Sequence, residues 1–89
     1  MGSSVAAGFA EMVENGAVGL RTAIDAHRVS NLYPAPPVYM LDVMVAAVEA
    51  VQEHESDILL ALPEGVSWKG QDTVPAYDVI ESFRLEAFI

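Results

Sequence analysis

Two stretches of this 89-residue sequence carry side chains that can perform acid–base or metal chemistry. In the first, His54 stands between Glu53 and Glu55, and Asp57 follows two residues later. Imidazole and carboxylate groups can bind zinc and can donate or accept protons. On a helix, however, only Glu53 and Asp57 share a face. Because a metal site needs converging ligands, the pattern favours a solvated polar turn.

The second stretch is Asp25-Ala26-His27. Residues two apart on a helix do not face each other, and a histidine near the end of a helix is favoured there by the helix dipole. We therefore expect His27 to close a helix. The sequence contains no nucleophile elbow, P-loop, GxGxxG or HExxH motif. It predicts no catalytic, metal-binding or cofactor-binding residue, and a protein that is not an enzyme.

The composition indicates one small folded domain that gains stability from a partner. Apolar residues make up 53% of the chain, which is too many for a disordered protein. There is no cysteine, so disulfides and thiolate metal sites are excluded. A domain of this size buries a modest fraction of its surface. With no disulfide available, a partner subunit is the expected source of additional stability.

The charge is strongly acidic and unevenly distributed. The formal net charge is −9, with three acids and two bases in residues 1–37 and ten acids and two bases in residues 38–89. A negative field disfavours direct contact with nucleic acid or with an anionic membrane. It suits a basic protein surface, although acidity also keeps an apolar domain soluble.

The sequence predicts no membrane segment and no signal peptide. Asp42 and Glu49 interrupt the longest apolar runs, which fall short of the roughly 20 residues that span a bilayer. The N-terminus lacks the basic region that opens a signal peptide. We expect a cytoplasmic or virion protein.

The first part of the chain predicts a helical segment followed by a linker. Within residues 1–28, apolar side chains recur at helical spacing, and Asn15-Gly16 interrupts them, so the segment is one weakened helix or two short ones. Residues 29–37 form a connector with three prolines. It contains PxxP and PPxY patterns that can dock on small adaptor domains, or it is a rigid linker that aims the next element.

The longest apolar-periodic run predicts a central helix over residues 38–62. The polar residues 52–57 can end or kink it. Residues 63–89 predict a turn and a C-terminal strand, since polar and apolar residues alternate from Ser82 to Ala87. The fold class is then helix-rich α+β, with two or three helices and a small C-terminal β element. The alternative is an all-α helical bundle.

The apolar C-terminal part predicts a contact surface. Alternation turns Phe83, Leu85 and Ala87 toward the core and Phe88 to the opposite, exposed face. An exposed phenylalanine on an edge strand is costly in water, and aromatic side chains are favoured anchors in protein interfaces. The predicted interaction residues are Trp68, Tyr77, Phe83, Leu85, Phe88 and Ile89.

The order of segments is similar to that of one protein family. The run GAVGLRTAIDAH leads into LYPAPPV, an acidic helix follows, and GVSWKG and FRLEAFI stand near the end. This layout resembles that of small tailed-phage proteins of the head–tail junction and tail terminator. The resemblance implies a non-enzymatic ring or collar subunit whose C-terminal hairpin closes a sheet.

These features predict a structural or assembly protein that acts through protein–protein contacts. We expect a homo-oligomer or a subunit of a larger complex, with a bacteriophage virion as one setting. The alternative is a small acidic inhibitor, such as a DNA mimic or an immunity or anti-defence protein, that covers a basic protein surface.

Overall fold

The computed structural model describes residues 17–55 and 57–89, and within them three α-helices surround one apolar centre. These helices are α1 (Ala17–Asn31), α2 (Met40–Gln52) and α3 (Ala76–Ser82). Helix α2 is buried over most of its surface, as expected for a mainly apolar helix whose charged residues are Asp42 and Glu49. Its buried residues are Met40, Leu41, Val43, Met44, Val45, Ala47, Val48 and Ala50. Helices α1 and α3 both pack against it.

Arginine side chains of α1 fix the connector and the start of α2. Arg28 donates from Nη1 to the carbonyl oxygen of Pro36 at 2.6 Å, and its Nη2 donates to Asp25 at 2.8 Å. Arg21 forms an ion pair with Asp42 in the first turn of α2. The proline-rich connector is therefore held against α1.

Helix α2 ends at Gln52, the first of the polar residues 52–57 that were expected to end or kink the central helix. The predicted continuation of the helix to residue 62 is wrong, because residues 59–61 form a strand. His54 adopts a left-handed conformation, with φ of 65°. The N–H of His54 donates to Val51 O at 2.9 Å, and the N–H of Glu55 donates to Ala50 O at 2.8 Å. These two bonds form a Schellman motif, which satisfies the last carbonyls of a helix and stops it.

The chain then forms a two-stranded antiparallel sheet from β1 (Leu59–Ala61) and β2 (Thr73–Pro75). Leu60 lies opposite Val74, which is fully buried, so this pair faces the core. Between the strands, Trp68 and Gln71 pair across a two-residue turn. Lys69 and Gly70 both have positive φ, of 51° and 81°, as the type I′ hairpin turn requires.

The predicted strand from Ser82 to Phe88 is wrong, because this segment is a helix end followed by a 3₁₀ turn, Glu86–Phe88. Arg84 adopts φ of 55°, and the N–H of Leu85 donates to Ile80 O at 2.9 Å. This is a second Schellman motif, in which Leu85 and Ile80 bring their fully buried side chains into the core. The alternation of buried and exposed residues that predicted a strand therefore comes from the end of helix α3.

The predicted fold class, helix-rich α+β, is confirmed. The β element begins in the predicted central helix and ends before α3, so it lies earlier in the chain than expected. The helical prediction for residues 1–28 is confirmed from Ala17 onward, and residues 1–16 lie outside the described residues.

Candidate functional site

The six predicted interaction residues do not form one surface. Leu85 is fully buried and Phe83 is half-buried, as predicted for core-facing positions, whereas Ala87 is exposed, so its predicted core-facing position is wrong. Phe88 is half-buried too, so the prediction that it is exposed on the opposite face is wrong. Tyr77 and Ile89 are 48% and 52% exposed. Contact with a partner stays a prediction for these two residues.

Trp68 packs on the C-terminal segment. Its ring meets the ring of Phe83 nearly edge-on, with centroids 5.8 Å apart and planes at 65°. Such pairs contribute about 0.5–1.5 kcal/mol beyond the burial of their area. The Nε1 atom of Trp68 is buried and has no hydrogen-bond partner among residues 17–55 and 57–89. The half-buried Trp68 therefore contributes to the packing of the domain.

The C-terminal segment is anchored to α1 and α2. The ring of Phe88 lies 5.6 Å from that of His27 at 89°, and Gln52 Nε2 donates to Phe88 O at 2.7 Å. His27 Nε2 donates to Phe83 O at 3.0 Å, and Asn31 Nδ2 donates to His27 Nδ1 at 3.3 Å. His27 lies four residues before the end of α1, so it does not close the helix as predicted. It positions the C-terminal segment.

The His54 region is an exposed turn after α2. The side chains of Glu53, His54, Glu55 and Asp57 are all exposed. In the described part of the chain, no group of three or more histidine, aspartate or glutamate side chains lies close enough to hold a metal ion. The geometry of this turn gives no support to a converging polar site.

The connector fits the linker interpretation better than adaptor docking. The carbonyl oxygen of Pro37 accepts from the N–H of Met40 at 2.9 Å, and Tyr39 has helical dihedral angles of −66° and −19°. Pro36 is buried and accepts from Arg28. Because PPxY recognition uses an extended, accessible segment, this turn cannot present the motif without rearrangement.

Three exposed apolar side chains lie at one end of the sheet instead. We call them the sheet surface: Ile58, Leu59 and Tyr77, which are 42%, 61% and 48% exposed. All three residues lie at one end of the sheet, since Leu59 pairs with Pro75 and the N–H of Ala76 donates to Ile58 O at 2.9 Å. Alternation places Leu59 on the outward face and Ile58 on the same face as Leu60. Sequence reasoning identified Tyr77 and missed the other two. The signal in the sequence was the apolar run of residues 58–62, because a strand of three residues cannot bury all five of these side chains.

One edge of this sheet is open to a groove. The N–H of Leu62 donates to Asp72 O and that of Ala76 donates to Ile58 O. Since alternate residues of an antiparallel strand point toward the partner strand, the backbone groups of Leu59 and Ala61 point away from β2. No third strand pairs with β1 in the described part of the chain.

The groove lies between α2 and β1 and has a volume of about 300 Å³. We call it the edge groove, and it is lined by Asp42, Val43, Ala46, Leu60, Ala61, Leu62 and Pro63. All but one of these residues are apolar. Ala61 places its outward-pointing backbone N–H and C=O at this groove, next to the sheet surface.

The charges around the groove are negative. Asp42 stands in its wall, Glu49 lies one helical turn beyond Ala46, and Glu64 follows Pro63. Asp42 is paired with Arg21. Glu49 and Glu64 form no ion pair within the described residues. The rim of an apolar groove therefore carries unneutralised carboxylates.

Comparisons with known protein families, with curated proteins and with solved structures gave no match. Among the residues that the structure describes, no helix has both the length and the apolar character that crossing a membrane requires.

Proposed function

We propose that this chain is a non-catalytic structural or assembly protein that works through protein–protein contacts. The observation that carries the proposal is the sheet surface, three exposed apolar side chains at the end of a sheet whose strand β1 pairs with no third strand among residues 17–55 and 57–89. Fully burying one large apolar side chain contributes about 1.5–3 kcal/mol. A partner that covers Leu59 and Tyr77, which are 61% and 48% exposed, therefore gains binding free energy from each side chain that it buries.

The composition of this surface suits an interface. Tyr77 offers a large rigid ring with a polar hydroxyl, the type of side chain that dominates binding free energies. Leu59 lies on the outward face of β1, where the packing of the fold does not require an apolar side chain. Open strand edges also recruit further strands. Contact with another protein subunit would satisfy the apolar side chains and the backbone groups together.

A subunit of a phage particle is the specific form of assembly protein that the sequence suggests. The support for that form is the resemblance in the order of segments alone. The helix α1, the proline connector and the acidic helix α2 follow that order, whereas a C-terminal strand after α3 is missing. The general proposal of an assembly protein does not depend on the phage setting.

The distribution of charge favours a second candidate, an acidic inhibitor that covers a basic protein surface. Of the four basic side chains in the described residues, Arg21, Arg28 and Lys69 each lie beside a carboxylate. Eight carboxylates in the same residues form no ion pair: Glu49, Glu53, Glu55, Asp57, Glu64, Asp72, Glu81 and Glu86. Such a surface attracts basic proteins at long range.

Affinity purification from the cells of origin tests the proposal. Tagged wild type, Leu59→Asp and Val29→Asp are purified in parallel, and the masses of the complexes are measured by light scattering. Val29 is 60% exposed but lies on α1, so its variant is the matched control. We expect wild type and Val29→Asp to retain a stoichiometric protein partner or further copies of the chain, and Leu59→Asp to lose it.

The identity of the bound protein separates the two candidates. A homo-assembly or a large particle supports the structural protein, whereas a one-to-one complex with a single basic protein supports the inhibitor. A monomeric wild type without any stoichiometric partner contradicts both.

A further inference from the structure

We propose that the edge groove binds an extended, basic segment of the partner protein, which pairs with β1 as an additional strand. The inference rests on the proposed function and names the chemistry of the partner. It combines three features of one place in the fold: the outward backbone groups of β1, the apolar walls of the groove, and the carboxylates at its rim.

The open edge of β1 determines the conformation of the bound segment. The N–H and C=O groups of Leu59 and Ala61 point away from β2, so a segment laid beside them meets alternating donors and acceptors. Strand addition of this kind takes its affinity from main-chain hydrogen bonds and its selectivity from pockets for alternate side chains. A segment in extended conformation therefore fits this edge, whereas a helix leaves the backbone groups unpaired.

The groove supplies the pocket. Val43 and Ala46 form the helix wall, and Leu60 and Leu62 contribute from the strand side. A volume of about 300 Å³ matches one or two apolar side chains of an added strand. Every second residue of the segment then enters the groove, and the residues between them face the solvent and the acidic rim.

Charge selects the occupant. The rim carries Glu49 and Glu64, neither of which is neutralised within the described residues. A second copy of this chain brings a net charge of −9 and the same acidic rim, which disfavours edge-to-edge pairing of two copies. A segment in which lysine or arginine alternates with apolar residues offsets the carboxylates and fills the pocket.

The test uses the full chain and a synthetic probe. A capped ten-residue peptide of alternating lysine and valine is titrated into the protein, and backbone amide shifts are followed by NMR. We expect the largest shift changes in residues 42–46 and 59–63, and weaker binding as salt is raised. A peptide of alternating glutamate and valine should bind at least tenfold more weakly.

Ala61→Pro removes the outward N–H without removing a bond to β2, since proline is tolerated on an edge strand. Loss of this one main-chain hydrogen bond should weaken peptide binding by up to about tenfold. Ala61→Val keeps the N–H and should bind within about twofold of wild type. If Ala61→Pro does not fold by circular dichroism, Ala46→Arg replaces it, because a long cation on α2 fills the groove and should abolish binding.

Several results overturn the inference. The first two are shift changes centred on residues 53–57 and binding of the acidic peptide as tight as that of the basic peptide. The third is unchanged peptide binding by the folded Ala61→Pro variant or by Ala46→Arg. The fourth is a concentration-dependent doubling of the protein's mass that Ala61→Pro abolishes. The last result makes a second copy the occupant. In cells, loss of the partner with Leu59→Asp but not with Ala61→Pro leaves the proposed function standing and removes this inference. Retention by both variants removes both.

Discussion

Replacing Leu85 with alanine should destabilise the fold strongly, because Leu85 is a core residue at a helix terminus. Its side chain is fully buried, and its N–H donates to Ile80 O at 2.9 Å to close the second Schellman motif. The substitution keeps the backbone bond and removes most of the Leu85 side chain from the buried core that it shares with Ile80. Deleting a buried leucine side chain to alanine costs about 2–5 kcal/mol, and we expect about 3 kcal/mol here.

That loss is large for a chain of this size. A domain of 89 residues has a free energy of unfolding of about 5–10 kcal/mol. A loss of about 3 kcal/mol lowers the melting temperature by roughly 12–24 °C, since 1 kcal/mol corresponds to about 4–8 °C in domains of this size. The variant should still fold at low temperature, so both its stability and its partner binding remain measurable.

Urea denaturation followed by circular dichroism measures the effect. The matched control is Ile89→Ala, which truncates an aliphatic side chain that is 52% exposed and should cost less than about 1 kcal/mol. A loss below 1 kcal/mol for Leu85→Ala, or an equal loss for both variants, refutes the assignment of Leu85 to the core. An extended, partner-facing C-terminal strand would then be the better description.

Three further predictions concern the helix ends and the histidines. His54→Gly should raise the free energy of unfolding by about 0.5–1 kcal/mol, because glycine relieves the positive φ of 65°; an unchanged or lower melting temperature contradicts this. Arg28→Met should lower the free energy of unfolding by about 1–2 kcal/mol in urea denaturation, since Pro36 O loses a charged donor. If that variant is as stable as wild type, the hydrogen bond from Arg28 to Pro36 does not anchor the connector. The double variant of His27→Gln and His54→Gln should bind its partner within a few-fold of wild type; stoichiometric zinc in the wild type that this variant loses would show a metal role.

The central helix was predictable because its apolar residues follow a period that holds over three turns. Leu41, Met44 and Val48 recur at helical spacing and are all buried. The polar residues 52–57 indicated where that helix could end, but a complete stop was not predictable, because His54 takes the left-handed position that glycine normally occupies. Without glycine as a signal, the apolar run after the polar residues 52–57 reads as a continuation of the helix.

The C-terminal error has the same physical origin. Arg84 turns the chain with φ of 55°, so Phe83 and Leu85 both approach the core although no strand is present. Two apolar residues on either side of a left-handed residue imitate the period of a strand. The turn at Lys69-Gly70, in contrast, carries its glycine, and the paired residues Trp68 and Gln71 flank it as the hairpin geometry requires.

The candidate site was predictable only in part. Tyr77 was identified from its type, whereas the exposure of Leu59 depends on the outward face of β1 being left uncovered by the other described segments. Exposure of an apolar residue is decided by the packing of distant segments. A sequence pattern shows that Ile58 and Leu59 are apolar, but it does not show which side of the sheet is covered.

Photo-crosslinking in the cells of origin tests the central claim most directly. A photoreactive amino acid replaces Leu59, Tyr77 or, as the control, Val29, which is exposed on α1. If the sheet surface contacts a protein partner, the probes at Leu59 and Tyr77 give one discrete adduct of higher mass, and the probe at Val29 does not. Absence of an adduct at both sheet positions, or an equal yield at all three positions, contradicts the proposal that this surface is the interface.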